Sequence, residues 1–121
     1  MARLSTVALA IASGTLAFAA AAEAHPRLTG SNPANGAVVG KVDAIRLQFS
    51  ETLVPAFSGG ELVMTGHRAL KVPVKSAVAD KGRTLVLSSA KPLAPGAYQL
   101  NWHAVSTDTH RVAGDLSFRV K

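Results

Sequence analysis

A chain of 121 residues is sized for one small domain, and the absence of cysteine excludes a disulfide-stapled fold. The formal net charge is +6, but the basic residues are scattered. No basic run and no interleaved aromatic stripe is present, which argues against nucleic acid and for a solvated surface.

The first element is not part of the fold. Arg3 gives a charged start, and an uncharged, alanine-rich run extends from Val7 to Ala22. The run closes on Ala22-Glu23-Ala24, a small-x-small triplet. This order of features predicts a secretory signal peptide over 1–24, cleaved after Ala24. The working domain is then 25–121, begins at His25 and lies outside the cytoplasm. Its charge is unchanged, because Arg3 and Glu23 leave together. No second long apolar run follows, so no membrane insertion is expected after processing.

The rest reads as all-β. In "AIRLQFS", Ile45, Leu47 and Phe49 alternate with Arg46, Gln48 and Ser50, the period of a half-buried strand. "ELVM" is a short apolar strand, and "LKVPV" is an edge strand, since Pro73 lacks a ladder donor. "RTLVLSS", "AYQLNWHAV" and "DLSFRVK" follow, the last two as a hairpin with "STDTHR" in its connection. The turn signals "NPANG", "SGG", "TGH", "DKG", "KPLAPG" and "VAG" separate these runs. Short strands at close spacing predict a Greek-key β-barrel or sandwich of about seven strands. In "AYQLNWHAV", Tyr98, Leu100 and Trp102 share the core parity, whereas His103 falls on the outer face with Gln99 and Asn101.

Four histidines are present: His25, His67, His103 and His110. Asp108 and His110 are two apart, and in extended backbone they project to one side. Alone, that pair reads as an Asx-turn with a solvated histidine. His25 changes the reading, because a free N-terminal histidine offers its α-amine and ring Nδ1 as a chelate. With His110 and Asp108 the set is three nitrogens and one oxygen, which suits tetragonal Cu(II). Cysteine, which a blue-copper centre needs, is absent. Pro26 has no N–H for Cu(II) to displace, so it closes the competing amide mode.

The segments "HPRL", "SNPANGAVV", "IRLQFSE" and "WHAVSTDTHRVAGDLSFRV" together resemble the CopC family of periplasmic copper-binding, copper-resistance proteins. The most specific parts are the histidine after the signal and the S-x-D-x-H-x-V-x-G run, Ser106 to Gly114. The resemblance implies a cupredoxin-like Greek-key barrel holding one Cu(II) at His25, Asp108 and His110. It also implies Glu51, of "FSE", as a further acidic group beside the metal, and an inner-membrane, CopD-like copper transporter as partner. Family members with a Cu(I) site carry a methionine-rich loop. Here "PAFSGGELVMTGH" holds a single methionine, Met64, expected in the core, and His67 reads as a turn residue. A Cu(II)-only binder is therefore expected, used for copper sequestration or trafficking and not as an enzyme. Its ligands must lose protons to bind, so binding weakens as pH falls.

Two rival readings differ in class. An N-terminal histidine with a second histidine also makes the copper brace of oxidative monooxygenases. However, that chemistry wants the position an Asp108 carboxylate would fill, and a substrate platform that one Trp and one Tyr do not furnish. The other rival is an immunoglobulin-like structural module with incidental histidines.

Overall fold

A computed structural model describes residues 25–66 and 68–121. The expected signal segment and His67 lie outside the described residues. Nine strands occur among the described residues: β1 (Leu28–Asn32), β2 (Val38–Val39), β3 (Ala44–Phe49), β4 (Gly59–Thr65), β5 (Leu70–Val72), β6 (Lys75–Ala79), β7 (Thr84–Ser88), β8 (Gly96–Val105) and β9 (Arg111–Val120). One 3-10 turn, Pro55–Phe57, precedes β4. No described helix is long and apolar enough to cross a membrane.

The strands form two sheets, ordered β1-β3-β7-β6 and β2-β9-β8-β4-β5. All pairings are antiparallel except the short β2 against β9. The result is a sandwich, and the barrel alternative is corrected: the two sheets do not join into one closed ladder. The chain passes from the second sheet to the first between β5 and β6, at Pro73-Val74. Pro73 has no N–H with which to continue a ladder across that corner. As expected, β5 is an edge strand.

Alternation decides which faces meet. Ile45, Leu47 and Phe49 of β3 are buried against Tyr98, Leu100, Trp102 and Ala104 of β8 and Leu116, Phe118 and Val120 of β9. Phe49 meets Trp102 edge-on, with centroids 5.3 Å apart, and Tyr98 stacks on Phe118 at 5.4 Å. The "KPLAPG" corner is tied down by Tyr98, whose hydroxyl donates to the Ala94 carbonyl at 2.6 Å. Met64 is half-buried and packs against the core, as expected.

The sequence pattern missed β1, β2 and β6. "LTGSN" and "KSAVA" have no apolar alternation, and most of their residues are exposed or half-exposed. They are strands because β3 and β7 offer them a ladder: Asn32 sits opposite Arg46, and Lys75 opposite Ser88. Backbone hydrogen bonding to a neighbour, rather than side-chain burial, specifies such edges.

Candidate metal centre

One end of the sandwich gathers the start of the domain and the tip of the β8–β9 hairpin. Leaving β3, Ser50 donates its N–H to the Arg27 carbonyl at 2.9 Å, and its Oγ accepts from the Arg27 N–H at 2.9 Å. Three residues on, Leu53 bridges Ser106 and donates to the Gly82 carbonyl at 2.8 Å. Thr107 donates to the Thr52 carbonyl at 3.0 Å, and Val54 to the Val105 carbonyl at 2.8 Å. The stretch 50–54 thus stitches the start of the domain to the tip of the β8–β9 hairpin.

Pro26 is fully buried, so the chain just after His25 is anchored in the sandwich while His25 itself is exposed. The consequence is a contact between residues from opposite ends of the domain. The His25 and His110 rings lie 4.4 Å apart between centroids, tilted by 60°.

The hairpin tip differs from the extended geometry expected for Asp108 and His110. Thr109 N donates to the Ser106 carbonyl, and Ser106 N to the His110 carbonyl, each at 2.9 Å. This closes a three-residue connection whose last residue is left-handed: Thr109 has φ +75°. Asp108 and His110 share one side because the chain turns, not because it is extended. The carboxylate Oδ2 of Asp108 lies 3.1 Å from His110 Nδ1. Its Oδ1 accepts from the Ser106 hydroxyl and, at 3.4 Å, from the His110 N–H.

The Ser106 hydroxyl is the main cause holding the Asp108 carboxyl below its ordinary range, with the His110 contacts adding to it and desolvation opposing. The carboxylate is therefore anionic throughout the neutral range, half-exposed beside a half-exposed imidazole. The Nδ1 of His110 and the Oδ2 of Asp108 thus face each other as adjacent donor atoms.

Of the anticipated residues, His25 meets His110, and His110 meets Asp108. Glu51 lies on the stitching stretch, half-exposed, and makes no ion pair among the described residues. His103 is half-buried on the outer face of its sheet, as its parity predicts, in a shallow cleft with Glu61, Asn101 and Arg111. Among the described residues no group of three or more His, Cys, Asp or Glu side chains stands close enough together to hold a metal ion. What is assembled is an open set of nitrogen and oxygen donors, with no sulfur, at an exposed tip. The sequence offered Ser106 only as the first residue of the S-x-D-x-H-x-V-x-G run; that its buried hydroxyl bonds Asp108 comes from the structure.

The model of the CopC domain matches residues 28–121. The chain is 44% identical to "Copper resistance protein C" of Pseudomonas syringae pv. tomato, over 98% of this chain and 97% of that protein. It is 37% identical to the Escherichia coli protein of the same name, over 98% and 100% respectively. In three dimensions it resembles PcoC, a methionine-rich copper resistance protein from Escherichia coli, with a TM-score of 0.76 at 40% identity, covering 81% of this chain and 100% of that one. It also resembles CopC from Methylosinus trichosporium OB3b, with a TM-score of 0.68 at 27% identity, covering 80% of this chain and 94% of that one.

Proposed function

The chain belongs to the CopC domain family, and on that premise we propose that it is a copper resistance protein that binds one Cu(II) and holds or passes it on without turning over a substrate. The observation that carries the ligand assignment is the contact of the His25 and His110 rings, 4.4 Å between centroids, beside the Asp108 carboxylate. Cleavage after Ala24 frees the α-amine of His25, which with ring Nδ1 forms a chelate. His110 supplies Nδ1, which faces the Asp108 carboxylate at 3.1 Å. Asp108 supplies a carboxylate oxygen, which has lone pairs beyond those its hydrogen bonds use. Glu51, on the stretch that joins the two halves, is a further weak ligand or a hydrogen-bond partner at the rim.

Copper is the cargo, and the protein's own work is to hold the donors ready. Burial of Pro26 and the Arg27–Ser50 pair fix where the terminal histidine sits. The Ser106-bonded carboxylate keeps the His110 ring oriented. All-nitrogen and oxygen donors favour Cu(II) over Cu(I), and the affinity order favours it over zinc or nickel. Release of protons on binding makes acid the release signal. The setting is the periplasm, reached through the 1–24 signal segment, with an inner-membrane, CopD-like transporter as recipient.

The test is Cu(II) titration against a competing chelator, using protein that begins at His25 and the same protein with one glycine ahead of it. One Cu(II) per chain is expected, with affinity at least about tenfold weaker in the extended form, which loses the amine chelate. Equal affinities for the two forms would remove His25 from the site.

A further inference from the structure

We propose that Ser106 is a positioning residue of the metal site: its buried hydroxyl fixes the Asp108 carboxylate, and through it the His110 ring, in the orientation that receives the ion. The assignment rests on the Cu(II) reading above.

Three sets of contacts carry it. Ser106 is itself buried, with 1% of its surface exposed. Its N–H is spent on the His110 carbonyl at 2.9 Å, and its backbone bridges Leu53 across the sandwich end. The next residue, Thr107, is fastened to the Thr52 carbonyl at 3.0 Å. A hydroxyl on such a base is a donor with a fixed origin.

The donor reaches Asp108 Oδ1. That sets the rotation of the carboxylate and leaves Oδ2 as the oxygen that meets His110 Nδ1 at 3.1 Å. Oδ2 and Nδ1 are thus held side by side as neighbouring donors for one ion, set by a hydroxyl that does not itself bind it, the way outer groups tune a metal site.

The turn makes the relay possible. Thr109 is β-branched yet left-handed at φ +75°, in the connection position that glycine usually takes. Its hydroxyl donates to the Asp108 carbonyl at 2.5 Å. The left-handed step folds His110 back toward the carboxylate of Asp108 and lets the His110 carbonyl accept from Ser106 N–H. A backbone state that costs energy persists here because the β8–β9 ladder and the Leu53 and Thr52 contacts over-determine it. Ser106, Asp108 and His110 are therefore one hydrogen-bonded unit, with only the last two at the surface.

The test uses protein beginning at His25 and Cu(II) with a competing chelator. Ser106→Ala is expected to keep one Cu(II) per chain while weakening binding about tenfold. The Cu(II) electron paramagnetic resonance spectrum should also change, a signature that a merely structural role would not move. Ser106→Thr, which keeps the hydroxyl, is expected to return both towards wild type. In an Asp108→Asn background, Ser106→Ala should have little further effect, because the serine acts through that carboxylate. Binding by Ser106→Ala within twofold of wild type with an unchanged spectrum would overturn the proposal while leaving the copper reading intact. Equal losses in the Asp108 and Asn backgrounds would overturn it as well. Failure of wild-type protein to bind Cu(II) would instead sink the function itself. Should Ser106→Ala not fold, Ser106→Thr decides: a folded threonine variant with weak binding overturns the proposal, and one that binds as wild type supports it.

Discussion

Gly114, the last residue of the S-x-D-x-H-x-V-x-G run, is expected to tolerate no side chain. It faces Trp102 across the β8–β9 ladder. A Cβ built there would lie 2.6 Å from Trp102 Cζ2, 3.0 Å from Cε2 and 3.3 Å from Cη2. The indole cannot yield easily: it is 8% exposed, with the Phe49 ring edge-on at 5.3 Å. Overpacking of this kind costs about 1–3 kcal/mol. Replacing a strand glycine by alanine recovers about 0.5–1 kcal/mol of chain entropy. Gly114→Ala should therefore lower the stability of the metal-free protein by about 1–2 kcal/mol net. For a domain of this size that is a Tm drop on the order of 5–10 °C. Chemical unfolding at neutral pH is the assay. Gly40→Ala, whose Cβ would meet nothing within 4 Å, is the control and should stay within about 0.5 kcal/mol of wild type. Trp102→Phe removes the clashing ring atoms and sacrifices no hydrogen bond of the indole, since Nε1 has no partner among the described residues. The double variant should then be more stable than the sum of the single losses predicts. A Gly114→Ala protein as stable as wild type, or a strictly additive cycle, would refute the reasoning.

Other outcomes follow from the same structure. Because Asp108 titrates below its ordinary value of 3.8, its ionised form contributes stability that is complete above that value and fades as pH falls below it. Asp108→Asn should thus be less stable than wild type at pH 6–7, with the gap in urea midpoint closing under more acidic conditions; a gap constant with pH would contradict this. Pro26→Ala removes a fully buried ring and should cost about 1 kcal/mol, together with a blue shift of the Cu(II) visible band at alkaline pH as the new second-residue amide becomes a ligand; unchanged stability and spectrum would deny the anchor. Free Cu(II) at a hundredfold excess over Kd should stabilise the mature protein by about 2.7 kcal/mol in thermal melts, reversed by chelator. His110→Ala should abolish most of that shift, and a shift retained in full would take His110 out of the site.

The burial pattern of β3, β7, β8 and β9 was legible because alternation is a local property and each of these strands has one buried face. The edges β1, β2 and β6 were not, because a neighbour's backbone, rather than their own side chains, makes them strands. At the site, residue types were readable and geometry was not. The D-x-H pair suggested extended backbone, yet a left-handed Thr109 brings the two together in a turn, and no threonine announces that state in sequence.

The sequence by itself determined the residue types: a histidine directly after a small-x-small triplet, an aspartate and a histidine near a late hairpin, and no sulfur beyond one core methionine in 25–121. Only the tertiary structure decided that these meet. His25 reaches His110 because Pro26 is buried and Ser50 to Val54 tie one end of the chain to the other. Such closure depends on ladder register and burial between segments far apart in the chain, which no local pattern of residues encodes.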